Sequence, residues 1–308
     1  MDAAPLLARA PARVGLLGNP SDLYGGAVLG FALDDFGATV TLRPGGGGEP
    51  HFEGPAARLL AAAWARVARR GIQPLPEGFT LGADTDVPRQ VGLSGSSALV
   101  VAALRVLTRA HGLDWSAFEL SEEALLAETE ELGIVAGPQD RVLQAHGGLL
   151  FMDFQSERSP EAYRTLDPAL LPPLVVAWDP EPGQDSGVTH QGVRERWREG
   201  DPEVRTAMER AASLAREGLE ALAERDAERL ADLVDANFEL RRALFGLEGR
   251  ACAPVEWARG AGAAAKFCGS GGAVVCVPRS GSSVERVLEA FAQRGWPALV
   301  PTVAPALG

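Results

Sequence analysis

PRQVGLSGSSALVVAALRVL, residues 88–107, is the stretch on which the fold turns. From Ala98 onward it is apolar almost without interruption, so it predicts a helix buried in a core. The six residues before it, Gly92-Leu93-Ser94-Gly95-Ser96-Ser97, are small and let the backbone approach a ligand closely. The free N–H groups of the first helical turn point into that loop, and the helix dipole favours negative charge there. Serine hydroxyls add hydrogen bonds or a ligand for Mg²⁺. The pattern is neither G-x-x-x-x-G-K-[ST] nor a G-x-G-x-x-G that follows a strand. Taken alone, the loop also reads as a serine-capped helix after a flexible turn. The buried helix behind it tilts the reading towards a phosphate site.

Outward from this segment, the 308 residues predict two domains, and 46% hydrophobic with 23% charged residues is ordinary for a globular protein. With 29 Lys+Arg against 41 Asp+Glu, the net charge of −12 argues against nucleic acid or an anionic membrane as partner. Cys252, Cys268 and Cys276 form no C-x-x-C pair and read as reduced thiols. With no secretory-type leader or spanning segment in view, the expectation is a cytoplasmic protein, monomer or homodimer, with a small-molecule partner. Strands are predicted at 12–18, 26–33, 36–43 (a turn at Asp34-Asp35 between the last two), 78–86, 148–153 and 172–178. Helices are predicted at 55–70 and 121–132, the second capped by Ser121. The Pro/Gly/Asp-rich stretch 179–187 is the expected junction between domains 1–178 and 179–308. Helices at 202–225, 227–245 and 254–264, a strand from 273, helix 283–294 and strand 297–303 follow. This order is α+β, not a doubly wound sheet.

Two carboxylates stand out. On helix 121–132, Glu123, Glu130 and Glu131 point away from the Leu125–Leu132 line, whereas Glu128 sits about 60° from Leu125, at the edge of the buried face. A carboxylate there needs a cation or a metal. Pro138 suits the start of a short helix and places Asp140 in its first turn. There it either complements the helix dipole or accepts a hydroxyl proton in phosphoryl transfer. A further Gly/Ser turn, Gly269-Ser270-Gly271-Gly272, follows Lys266 and opens a strand. It reads as a β-turn, or as a loop packed against phosphates or substrate.

With Arg13-Val14-Gly15-Leu16-Leu17-Gly18-Asn19-Pro20-Ser21-Asp22, Pro88 through Ala98, and Lys266 through Gly272 in that order, the sequence resembles the GHMP kinases. The strings GNPSD (18–22), PRQVGLSGSSA (88–98), ELGIVAGPQDRV (131–142), HGGLLFMDF (146–154), ALLPP (169–173) and KFCGSGG (266–272) resemble the glucuronokinase branch of that superfamily. The loop is one residue longer than the broader family's G-L-[GS]-S-S-A, again as in that branch. The resemblance spans about residues 13–305.

What the resemblance implies is a two-domain GHMP kinase fold: an N-terminal domain like domain 2 of ribosomal protein S5 and a C-terminal ferredoxin-like α/β sandwich. It implies ATP and Mg²⁺ as cofactors, and phosphorylation of the anomeric hydroxyl of a sugar acid, D-glucuronate. Asp140 matches the catalytic carboxylate and Arg13 the basic residue facing it. Glu128 and Ser97 match the Mg²⁺ ligands, with Ser96 as second choice. Pro88, Gly92, Leu93, Ser94, Gly95, Ser96, Ser97 and Ala98 would cradle the nucleotide. Asn19, Ser21 and Asp22, with Gly269, Ser270 and Gly271, would contact the substrate. A sugar acid also needs a cation, and Arg89, Arg141, Arg241 and Arg242 are the candidates, with Arg241 placed in the substrate set. Ser186, Thr189 and His190 are further candidates to line the sugar site. The competing readings are a galactose-, fucose- or heptose-type kinase of the same fold, and a sugar- and ATP-binding sensor without catalysis.

Overall fold

The computed structural model describes residues 4–155, 159–181 and 187–307, with residues 187–191 described by their backbone only. Its first part runs β1 (Leu6–Leu17), β2 (Ala27–Pro44), β3 (Pro50–Phe52), α1 (Ala57–Arg69), β4 (Phe79–Thr85), α2 (Gly95–Ala110), α3 (Ala117–Leu126), α4 (Gln139–His146), β5 (Leu149–Asp153) and β6 (Tyr163–Leu166). It continues through β7 (Val175–Trp178), α5 (Gly187–Arg198), α6 (Pro202–Glu224), α7 (Ala227–Phe245), α8 (Ala253–Gly260), β8 (Ala263–Phe267), β9 (Ala273–Pro278), α9 (Val284–Ala292) and β10 (Ala298–Leu299).

Two sheets organise the chain. In the first, β1 pairs antiparallel along the length of β2. The other edge of β2 is shared by β4 and β5, with β3 and β6 outside them. The second is an antiparallel sheet in the order β10-β7-β9-β8. The helix read from residues 98–107 lies buried against β1, β2 and α1, as its all-round apolarity demands. A separate core joins β1 and β2 to α6, α7 and the second sheet. Residues from α8 and α9 cover the outer face of that sheet.

Several expectations change. Residues 26–33 and 36–43 are not two strands around a turn but the single strand β2. It carries a bulge where the partner of Pro11 is Gly37 and that of Ala12 is Leu33. Asp34 and Asp35 sit in that bulge, Asp34 paired to Arg9 at 2.7 Å and Asp35 accepting the Thr302 N–H at 2.7 Å. The helix predicted at 121–132 starts earlier. Ser116 caps it in a reciprocal arrangement with Glu119, and Ser121 lies inside, donating to the Phe118 carbonyl at 2.8 Å. It ends in a π-helical turn over Ala127–Glu131. Glu123 is buried rather than solvated, because Arg66 and Arg70 close over it. The last predicted strand shrinks to β10 plus a bridge between Leu33 and Val303. The proposed junction falls largely on residues 182–186, outside the described residues, as does Ser186. Strand pairing crosses the 178/179 division both ways: β7 joins the second sheet and Val303 meets the first.

Candidate active site

A cavity of about 660 Å³ lies between the N-terminus of α2, the turn after β1, the start of α4 and the Gly269 loop. Segments distant in sequence build it, among them β1, α7 and the π-helical turn after α3. Arg13 comes from β1, buried at 4% exposure. Its Nε and Nη2 hold the two carboxylate oxygens of Asp140 at 2.5 and 3.0 Å, and its Nη1 donates to the Gly92 carbonyl at 2.6 Å. This is a bidentate grip that fixes the carboxylate in one orientation. Ser94 donates its hydroxyl to the same Asp140 at 2.5 Å. Ser94 precedes α2 in the left-handed region, φ 62°, and its side chain does not cap the helix. The N–H groups of the first turn of α2 are therefore left for a ligand. Gln144 ties α4 to this loop, donating to the Ser94 carbonyl at 2.8 Å.

The two glycine loops pack on each other, which explains their composition. A Cβ on Gly92 would come 2.6 Å from the Gly271 carbonyl, and one on Gly272 would come 2.7 Å from the Cα of Val91. Lys266 does not reach the cavity. Fully buried, it donates to the carbonyls of Gly15 and Phe267, both at 2.8 Å, and so ties β8 to β1. Burial, with Arg241 second, holds its pKa well below the usual lysine range.

Around Asp140 the charges are dense. Glu128, 1% exposed, is paired with the Arg141 guanidinium through Oε2, while its Oε1 has no partner. Arg141 also donates to the Gly137 carbonyl at 2.7 Å. Burial, then repulsion from Arg13, pulls its pKa down to about 9. Asp22, 5% exposed, accepts from the Gln139 side chain at 3.0 Å. Burial, then the negative charge of Asp140, pushes Asp22 up to about 7.

Of the residues singled out from the sequence, Arg13, Asn19, Asp22, Pro88, Gly92, Leu93, Ser94, Gly95, Ser96, Ser97, Glu128, Asp140, Arg241, Gly269 and Ser270 line this one cavity. Three are elsewhere. Ser21 is buried and donates to the Ala27 carbonyl at 2.9 Å; Ala98 packs in the α2 core; Gly271 lies behind Gly92. Arg89 and Arg141 also line the cavity, whereas Arg242 projects outward, 3.6 Å from Glu239. The side chains of Thr189 and His190 are outside the described residues. Gln139 and Gln144 were not singled out. Their only local signal was adjacency to Asp140 on a short helix.

Ser97 and Glu128 both line the cavity, and a hydroxyl and a carboxylate oxygen without a partner are donors of the kind a hard cation takes. Among the described residues no three His, Cys, Asp or Glu side chains cluster as a metal site, so a cation here would complete its shell from phosphate oxygens.

Comparison with known proteins agrees with this architecture. Residues 57–148 match the family described as GHMP kinases N terminal domain. The chain is 40% identical over 317 aligned positions to probable glucuronokinase 2 of Arabidopsis thaliana, spanning 91% of this chain and 86% of that one. Identity to glucuronokinase 1 of the same plant is 38%, over 91% and 87% of the two chains. The Lactococcus lactis galactokinase solved with galactose superposes at a TM-score of 0.83, over 99% of this chain and 96% of that one, at 16% identity. The α+β two-sheet reading stands as the fold of these kinases. Sequence identity of this extent across nearly the whole chain places the protein in the GHMP kinase family of small-molecule phosphotransferases.

Proposed function

We propose that the protein transfers the γ-phosphate of ATP to the anomeric hydroxyl of D-glucuronate, giving ADP and glucuronate 1-phosphate. The substrate rests on the two plant relatives, both named glucuronokinases. The chemistry rests on one observation: Asp140, clamped by Arg13 and Ser94, stands beside the uncapped N-terminus of α2.

The N–H groups at the start of α2 bind the phosphates of the nucleotide, and Gly92 to Ser97 let them come close. Asp140 orients the anomeric hydroxyl and takes its proton as that oxygen bonds to the γ-phosphorus and the bond to the ADP oxygen breaks. Arg13 holds Asp140 in place and contributes positive charge where the phosphoryl group passes. Asn19 and Asp22 hydrogen-bond the sugar. Glu128 and Ser97 would hold Mg²⁺, which would supply positive charge against the phosphates. Positioning and charge do most of the work in such a reaction, which suits a site built almost wholly of held polar groups.

The test is turnover of ATP by the purified protein with D-glucuronate, D-galacturonate, D-glucose, D-galactose and L-fucose. The expected result is ADP release that depends on glucuronate, with an anomeric phosphate in the ³¹P spectrum of the product. Turnover confined to neutral sugars overturns the substrate reading. Asp140→Asn should lower kcat by about 10²–10⁴-fold with ATP affinity unchanged by calorimetry. An unchanged kcat removes Asp140 from the mechanism.

A further inference from the structure

Three arginines with buried side chains line the cavity, and they differ in how their charge is met. Arg13 is matched by Asp140 and Arg141 by Glu128. Arg241, 2% exposed, forms no ion pair with any carboxylate among the described residues. Among the described residues its only hydrogen bond runs from Nη1 to the Gly269 carbonyl at 2.6 Å, and its Nε is buried without a partner. A buried guanidinium with no anion is costly, and a site that retains one is built to receive an anion from outside.

The comparison with Arg13 shows which edge is free. Arg13 also spends Nη1 on a carbonyl of a glycine loop, Gly92, and uses its Nε–Nη2 edge to grip a carboxylate. Arg241 spends Nη1 on the other glycine loop and leaves the same edge vacant. That edge is a planar two-donor fork, the shape complementary to a carboxylate. The side chain is also held in place, its guanidinium 5.5 Å from the Phe245 ring centre and 5.9 Å from that of Phe267.

Its place on α7 sets it one helical turn from Asn237, which touches the turn after β1. Asn237, one helical turn earlier on the same face, receives the Gly18 N–H at 2.8 Å and so pins the turn that carries Asn19. Arg13, Asp22 and Lys266 are charged groups near enough to act on Arg241. Burial, then Arg13, pulls Arg241 down to about 10.

We infer that the Nε–Nη2 edge of Arg241 receives the carboxylate of the acceptor sugar, and that this residue makes the enzyme choose sugar acids over neutral sugars. The inference rests on the kinase reading above and names its specificity residue.

The experiment compares wild type, Arg241→Met, Arg241→Lys and Arg242→Ala on D-glucuronate, on D-glucuronamide, whose carboxylate is replaced by a neutral amide, and on ATP. Arg241→Met should lower kcat/KM for glucuronate by roughly 10²-fold or more, chiefly through KM. It should change glucuronamide turnover and the KM for ATP by no more than a few-fold. Arg241→Lys should fall between, keeping the charge without the fork, and it carries the test should the Met variant not fold. Arg242→Ala, on the exposed side, should match wild type. If the preference for glucuronate over glucuronamide survives in Arg241→Met, the inference is wrong. A raised KM for ATP with that preference intact assigns the fork to phosphate and overturns it equally. Wild type inactive on every sugar acid would instead sink the substrate reading itself.

Discussion

At the residue scale the site is an exercise in paired and unpaired charge. Asp140 is useful because Arg13 and Ser94 leave it one orientation. Asp22 is the reverse case, a carboxyl whose burial makes ionisation unfavourable and lifts its pKa from 3.8 to about 7. Its effect on stability follows from that direction. Between about pH 4 and 7 the folded protein binds a proton at Asp22 that the unfolded chain has lost. Asp22 therefore makes the fold lose stability as pH rises through that window, with no further change above it. Asp22→Asn should remove this slope, so the variant gains on wild type by a few kcal/mol between pH 4 and 8. Urea denaturation at several pH values checks this, and a wild-type-to-variant difference independent of pH would refute it.

At the element scale, the two glycine loops work as one part. Gly92 gives its carbonyl to Arg13 and its backbone space to Gly271, while Gly269 gives its carbonyl to Arg241. Each loop thus anchors one of the two arginines. A Cβ at Gly269 would come 2.7 Å from Arg13 Nη2 and would collide with the Gly92 carbonyl. Gly269→Ala should therefore disturb the Arg13–Asp140 grip while sparing the core, lowering kcat by about 10-fold or more with little loss of thermal stability. Wild-type kcat in a well-folded Gly269→Ala protein would show that the contact between loops is dispensable. The helix α2 contributes differently: its extensive burial keeps its N-terminus fixed beside Asp140.

At the scale of the whole molecule, the chain closes on itself. After β10 it returns to the first sheet, where Ala304 donates to the Ala32 carbonyl and Gly148 to the Ala304 carbonyl, at 2.9 and 3.0 Å. The Leu33–Val303 bridge lies in the same return. Deleting residues 302–308 should cost about 2–4 kcal/mol of stability, read by urea denaturation, because several backbone bonds in a protected edge are lost together. No change on deletion would mean that the return contributes nothing. How much of this was legible beforehand differs by feature. The loop of residues 92–97 ahead of a buried helix could be read directly, since side-chain size and apolar periodicity are local properties. Glu128 was legible as a carboxylate facing inward, although its partner Arg141 was not. The single bulged strand β2 was read as a hairpin, because Asp34-Asp35 looks like a turn until Arg9 and Thr302 are beside it. Sequence alone determined the family and singled out the loop of residues 92–97 and Asp140 as candidates, because short motifs carry such signals within a few residues. Only the tertiary structure decided that Arg13 grips Asp140 from 127 positions away and that, of the two candidate arginines that are buried, Arg241 is the one left without an anion. Charge pairing depends on which distant segments the fold brings within reach, and no local pattern encodes that distance.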